Sequence, residues 1–189
     1  MVLSLEAQNR FSYSLEAVAG VGLDHGPLVS FTPEFVAQFD LGSGFLVGAG
    51  AGVRLAAPCL RYIYENGLLS ERKYVREWDA PLFLRLGYRG KDRLFAAFDA
   101  GYAVGLYTKY KDPDRPQTVN HIYDGFFLEP QMGWRFTPKS GVSLGFLFQR
   151  GYSEVRYMRL NEIGLSSDVL TVGNHRWISA ITLRYSYLF

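Results

Sequence analysis

The chain has 189 residues, with 20 lysines and arginines against 18 aspartates and glutamates, for a net charge of +2. That length fits one domain, and so small a charge excess excludes the clustered basic surface of a nucleic-acid-binding domain. A single cysteine, Cys59, excludes an internal disulfide and any multi-cysteine metal site, and there is no run of about 18 apolar residues to form a membrane-spanning helix. Two values are high for a soluble domain, the 16% aromatic content and the 20 glycines, although the mean hydropathy of −0.02 is ordinary.

In chain order, residues 1–9 stand apart. Met1-Val-Leu-Ser-Leu-Glu-Ala7 reads either as the remnant of a secretory signal cleaved after Ala7 or as a disordered lead-in. Residues 10–189 are read as one domain.

From Phe11 onward the hydrophobic period is two, the signature of strands. Phe11, Tyr13, Leu15, Ala17, Ala19, Val21 and Leu23 alternate with Ser12, Ser14, Glu16, Val18, Gly20 and Gly22. Next, Phe31, Phe35, Ala37 and Phe39 alternate with Thr32, Glu34, Gln38 and Asp40. Phe45, Val47, Ala49, Ala51, Val53 and Leu55 alternate with Gly48, Gly50, Gly52 and Arg54. Leu82 to Tyr88, Leu94 to Val104, Phe126 to Phe136, Val142 to Gln149 and Trp177 to Phe189 repeat the pattern. This predicts eight strands. The nearest approach to a helix, Leu60 to Val75, is interrupted by Gly67. Pro33, Pro81 and Pro130 fall inside predicted strands and remove ladder donors, so they are expected at loop-side strand ends or at bulges.

Tight turns are predicted at 40–44, 89–93 and 137–141, and a short connection at 24–27. Longer polar loops are predicted over 57–77, 111–124 and 158–175. Tight turns at one end and mostly long loops at the other describe an up-and-down barrel of the outer-membrane kind.

The two faces decide what lies inside. One carries Phe, Leu, Tyr and Trp; the other carries Gly, Ala and Ser with single charges. An eight-stranded barrel has room only for the second set, and a bulky apolar exterior is favourable only in lipid. The interior set contains Glu16, Glu34, Asp99 and Glu129 facing Arg54, Arg85, Arg135 and Arg184. These are read as a charge-paired plug, the alternative being a proton or ion path. Aromatics near the tight turns or the C-terminus (Phe39, Phe45, Tyr88, Trp134, Phe136, Tyr185, Tyr187, Phe189) and near the loops (Trp78, Tyr107, Tyr110, Tyr123, Phe126, Tyr152, Tyr157, Trp177) suggest two interfacial belts.

The last strand, Ile181-Thr-Leu-Arg-Tyr-Ser-Tyr-Leu-Phe189, resembles the C-terminal signature of bacterial outer-membrane β-barrels. Its matching positions are Ile181, Leu183, Tyr185, Tyr187 and Phe189. The resemblance implies recognition by the barrel-assembly machinery, periplasmic termini and tight turns, and outward-facing long loops. The whole of 10–189 resembles small barrels of the OmpA/OmpX type. It is more closely similar to the outer-membrane β-barrel family abundant in Bacteroidota, through Asp79-Ala-Pro-Leu-Phe-Leu-Arg-Leu-Gly-Tyr88, Phe98-Asp-Ala-Gly-Tyr-Ala-Val-Gly-Leu106, Trp134-Arg-Phe-Thr-Pro138 and Val142-Ser-Leu-Gly-Phe-Leu-Phe-Gln149. It implies a Gram-negative outer-membrane location and outer-membrane lipid as the surrounding partner, and carries over no catalytic residue.

Some small outer-membrane barrels modify lipids with a His, a Ser and an acid. Here His175 with Ser179 and His121 with Asp124 are possible pairs, His25 stands alone, and none completes a motif. The expectation is therefore no enzymatic activity, no metal and no cofactor. Cys59 reads as inert or as a modification site. The loop segments 61–67 and 70–78 mix aromatics with both charges, which suits protein or glycan contacts, or an envelope complex engaged through 57–77, 111–124 and 158–175. They equally suit plain strand extension. The functional expectation is a small closed barrel with a structural or surface-interaction role, against a narrow porin-like channel or a soluble lipocalin-like carrier.

Overall fold

The computed structural model describes residues 10–23, 29–65, 68–90, 92–106, 119–122, 125–160 and 167–189. Within these, 58–65, 68–77, 119–122, 151–160 and 167–176 are described by their backbone pairing alone. The remaining positions, including residues 1–9 and the candidates His25, Tyr107, Tyr110, Tyr123 and Asp124, lie outside the described residues.

Ten strands follow one another: β1 (Phe11–Gly22), β2 (Val29–Gly42), β3 (Phe45–Gly52), β4 (Arg54–Glu65), β5 (Leu68–Arg89), β6 (Leu94–Gly105), β7 (Val119–Ile122), β8 (Gly125–Arg135), β9 (Ser140–Leu160) and β10 (Ser167–Leu188). β3 and β4 are one stave, pairing with β2 on one side and β5 on the other. β7 and β8 lie successively along β9 as another stave. Ten strands thus make eight staves. All pairings are antiparallel, and β1 pairs with both β2 and β10, which closes the sheet on itself. Where the sheet closes, each stave is flanked on both sides, which removes the open edge that an unclosed sheet would expose.

The stagger of this barrel can be followed pair by pair. Val21 lies opposite Ile181, Ile181 opposite Phe146, and Pro130 opposite Phe98. The pairs Leu128–Phe148 and Gln131–Gly145 place Phe146 across from Pro130. Phe98 then meets Leu86, Leu86 meets Val47, Val47 meets Phe39 and Phe39 meets Phe11. The circuit leaves β1 at Val21 and returns at Phe11, ten residues away. With eight staves such a shear tilts the strands by roughly 35–45° and leaves an interior that side chains fill.

The period of two sorts the side chains as the alternation predicts. Leu15, Phe31, Leu84, Phe98, Met132, Leu144 and Leu183 lie on the exposed exterior. Glu16, Thr32, Arg85, Asp99, Gln131, Ser143 and Arg184 on the same strands are buried in the lumen. This is the reverse of a lipocalin-like carrier, whose bulky face would line the interior.

Two expectations about connections and prolines are corrected. The described parts of 57–77 and 158–175 are strand, as the alternative of plain strand extension had it for 61–67 and 70–78: β4 and β5 pair as far as Glu65–Leu68, and β9 and β10 as far as Leu160–Ser167, with 66–67 and 161–166 outside the described residues. The ladder continues beyond the apolar band because backbone pairing does not depend on lipid. The alternation fades there because neither face of the sequence must be apolar. Val119–Ile122, inside the predicted 111–124 loop, is likewise a strand. The prolines sit within strands rather than at their ends, and the register does not shift at any of them. Each instead leaves a local gap on one side. Val53 donates its N–H to the Pro33 carbonyl at 3.2 Å, but Pro33 has no N–H to return, and the break between β3 and β4 falls at Val53. Pro81 lies opposite the same break and Pro130 opposite the unpaired stretch of β9 around Phe146.

The turn at 40–44 uses Gly42, Ser43 and Gly44 at φ of 92°, 54° and 87°, and Asp40 Oδ1 accepts the Gly42 N–H at 2.7 Å. A side chain at Gly44 would be strained by that φ and would meet the Arg89 carbonyl at 2.5 Å.

Candidate functional site in the barrel lumen

Space in the lumen is made by glycine. A Cβ on Gly50 would stand 2.3 Å from the Phe83 ring, and one on Gly133 2.4 Å from the Phe95 ring. A Cβ on Gly145 would stand 2.8 Å from Glu129 Oε1 and one on Gly52 2.7 Å from Glu34 Cγ. The inward glycines thus face the large inward side chains of neighbouring staves.

At mid-height those side chains form an ionic layer. Arg85 (β5) donates from Nε and Nη2 to both oxygens of Asp99 (β6) at 2.6 and 2.8 Å. It also donates from Nη1 and Nη2 to both oxygens of Glu16 (β1) at 2.6 and 3.0 Å. Arg184 (β10) donates to Glu16 at 2.5 Å, to Glu129 (β8) at 3.2 Å and to Glu34 (β2). Neutral groups complete it. Ser14 donates to Glu16 at 3.0 Å, Thr182 to Glu129 at 2.6 Å, Gln131 to Asp99 at 2.9 Å and Ser143 to Gln131 at 3.0 Å. Each of these residues is buried. Four carboxylates share two guanidiniums, so each arginine serves several acids at once. Removing one partner of such a network leaves charge buried without compensation, which is far costlier than the net value of the pairs.

Six of the eight sequence-derived charges meet here: Glu16, Glu34, Arg85, Asp99, Glu129 and Arg184. Arg54 and Arg135 do not. Arg54 stands further toward the loop end, where it donates to Asp79 at 2.9 Å and to Gln149 at 2.5 Å. Arg135 is half-buried near the tight turns at the other end. The interior is also more apolar than the alternation implies. Along β5, Phe83 lies between Arg85 and Asp79; along β8, Phe127 follows Glu129 toward the loops; along β9, Leu147 lies between Ser143 and Gln149. Together with Val36, Ala103 and Ala180 these form one buried cluster, with the Phe83 and Phe127 rings 6.2 Å apart, edge to face. Asp79, Gln149, Gln131, Ser14 and Thr182 join the site without any motif to mark them. Their inward parity is visible in the alternation, but their partners lie across the barrel and only the register fixes which residues meet.

Two pockets flank the layer. One, of about 510 Å3 including its open mouth, faces the tight turns and is walled by Glu16, Arg85, Arg89, Arg135 and Arg184 among others. The other, about 370 Å3 including its opening, lies toward the loops against Arg54, Asp79, Leu147 and Gln149. Among the described residues, no group of three His, Cys, Asp or Glu side chains is placed to hold a metal ion. The side chains of Cys59, His121 and His175 lie outside the described residues, and with them the His121–Asp124 and His175–Ser179 pairs.

On the exterior, aromatic residues ring the turn end: Phe45 and Tyr88 at 5.1 Å, Phe136 and Tyr185 at 6.2 Å, Phe11 and Phe39 at 4.9 Å. Trp78, Phe126 and Trp177 are exposed toward the other end. Tyr152 and Tyr157 of the expected second belt lie outside the described side chains.

This arrangement defines a class before it suggests a role. Solved structures with a similar fold include two outer-membrane proteins. One is a major outer membrane protein from Thermus thermophilus, with a TM-score of 0.53 and 17% identity over 95% of this chain and 99% of that one. The other is the outer membrane protein OprG from Pseudomonas aeruginosa, with a TM-score of 0.56 and 9% identity over 94% of this chain and 96% of that one. The fold is therefore that of small, closed outer-membrane β-barrels. No protein-family model and no curated protein matches the chain.

Proposed function

We propose that the protein is an integral outer-membrane barrel with a blocked lumen and a structural or surface-interaction role that involves no enzymatic step. The observation that carries this reading is the pairing of a continuous apolar exterior with an interior occupied by the Glu16–Arg85–Asp99–Arg184 network. An apolar exterior between aromatic rings is stable in a bilayer and not in water. Strands of 12 residues such as β1 and β6 are long enough for the roughly 9–11 residues that a tilted strand needs to cross. By the resemblance of its sequence to OmpA/OmpX-type and Bacteroidota barrels, the termini and tight turns are periplasmic. Ile181, Leu183, Tyr185, Tyr187 and Phe189, all exposed on the closing strand, serve as the assembly signal. The hairpin extensions β4–β5 and β9–β10 then supply the contact surface for an envelope partner.

Folded protein in detergent should migrate faster on a gel than boiled protein and show negligible conductance in planar bilayers. A stable large conductance overturns the blocked lumen. The flanking pockets favour a second reading, a narrow channel for small solutes or ions interrupted only at the network. In that case Arg85→Glu or Glu129→Arg would change a measurable conductance.

A further inference from the structure

We infer that the turn-end pocket of the lumen is a binding site for a small oxyanion of the phosphate class. The charged groups on its wall are four guanidiniums, Arg85, Arg89, Arg135 and Arg184, and a single carboxylate, Glu16. Both oxygens of Glu16 are already taken by Arg85 and Arg184. The other carboxylates of the ionic layer, Glu34, Asp99 and Glu129, do not line the pocket. Along the inward positions of β8 the order toward the turns is Glu129, Gln131, Gly133, Arg135, so the acid stands deeper in the barrel than the arginine. The layer thus presents Arg85, Arg184 and Glu16 to the pocket and keeps its other three acids off the wall.

The mouth adds a second observation. Arg89 ends β5 and Arg135 ends β8, with β6 between them, and the two guanidiniums lie within electrostatic range of each other. Among the described residues neither forms an ion pair. Asp40, the acid facing Arg89 from β2, has one oxygen occupied by the Gly42 N–H and is not part of the pocket wall. The Nε–H groups of Arg135 and Arg184 are buried without a hydrogen-bond partner among the described residues. Like charges held together beside unsatisfied donors are stabilised by an anion that accepts from several of them. Gln38, Gln131, Ser14, Ser143 and Ser186 offer further polar contacts on the same wall. A tetrahedral oxyanion accepts such a set of donors from several directions, and guanidinium forks match it bidentately.

The site is tested on the full chain folded in detergent micelles, with radiolabelled inorganic phosphate in equilibrium dialysis at an ionic strength fixed with chloride. Saturable binding is expected, displaced by sulfate. Arg89→Gln and Arg135→Gln should each weaken it roughly tenfold or more, the equivalent of one charge-assisted hydrogen bond, while heat-modifiable migration stays normal. Arg93→Gln, outside the pocket wall, should leave it unchanged. Should a glutamine variant not fold, Arg89→Lys and Arg135→Lys keep the charge and lose the fork, and a smaller weakening is expected of them. Glycerol 3-phosphate in a parallel dialysis separates the sources: tighter binding than inorganic phosphate assigns the site to phosphate esters, weaker binding to the free ion. Absence of saturable binding, or equal affinity in wild type and the Arg89→Gln/Arg135→Gln double variant, overturns the proposal.

Discussion

The outside and the inside of this barrel obey different rules. The exterior needs only apolar character: Val21, Ile181, Phe98, Leu86, Val47 and Phe11 lie on one circuit of the wall, each beside an apolar residue of the next strand. The interior needs particular partners. Arg184 alone contacts Glu16, Glu34, Asp99 and Glu129 from four other strands, and the glycines opposite the large side chains are matched to them one by one. An exterior residue is therefore replaceable by any of similar hydrophobicity, and an interior one is not.

Three substitutions sharpen that contrast. The largest effect is expected from Arg184→Met, which leaves Glu34 and Glu129 buried without their guanidinium and should lower unfolding free energy by about 3–5 kcal/mol in urea titrations of the folded barrel in lipid. Arg184→Lys, which keeps a cation, should lose less. Equal losses in the two variants would show that fork geometry rather than charge holds the layer. Next is Leu84→Arg on the exterior, at a residue 67% exposed. It should cost about 2–4 kcal/mol in bilayers, while Leu84→Ile at the same place costs little. A neutral arginine would mean that this stretch of wall does not face hydrocarbon. The smallest is Gly50→Ala, whose methyl meets the Phe83 ring and should cost roughly 1–3 kcal/mol by overpacking. Combined with Phe83→Leu, the two changes should cost less than their sum in a double-mutant cycle. Simple additivity would refute the matching of the two residues.

The sequence made the exterior legible because its rule is local. A period of two assigns every residue from Phe11 to Gly22 or from Leu94 to Gly105 to one face without knowledge of any other strand. The same parity marked Glu16, Glu34, Asp99, Glu129, Arg54, Arg85, Arg135 and Arg184 as interior, and the balance of four acids against four arginines was the ground for expecting a plug. It could not separate Arg54 and Arg135 from that group, because parity gives a face but no height along the barrel. It left 61–67 and 70–78 open between loop and plain strand extension and read 158–175 as loop, since a ladder with no apolar face to fill imposes no alternation. The prolines misled for a related reason. A missing N–H predicts a disrupted ladder, but within a closed barrel the neighbouring pairs hold the register, and Pro33, Pro81 and Pro130 each leave only a local gap.

By itself, then, the amino-acid sequence determined the all-β class, the eight-stave count, the outward position of the aromatics and the charged character of the lumen. All of these follow from side-chain size and polarity read at a spacing of two. The tertiary structure alone decided the shear that carries Val21 round to Phe11. With it came the choice of Asp79 and Gln149 as partners of Arg54, the apolar cluster around Phe83 and Phe127, and the cationic pocket beneath the ionic layer. Those depend on which strand heights coincide across the lumen. That is a property of the closed register, and no single strand carries it.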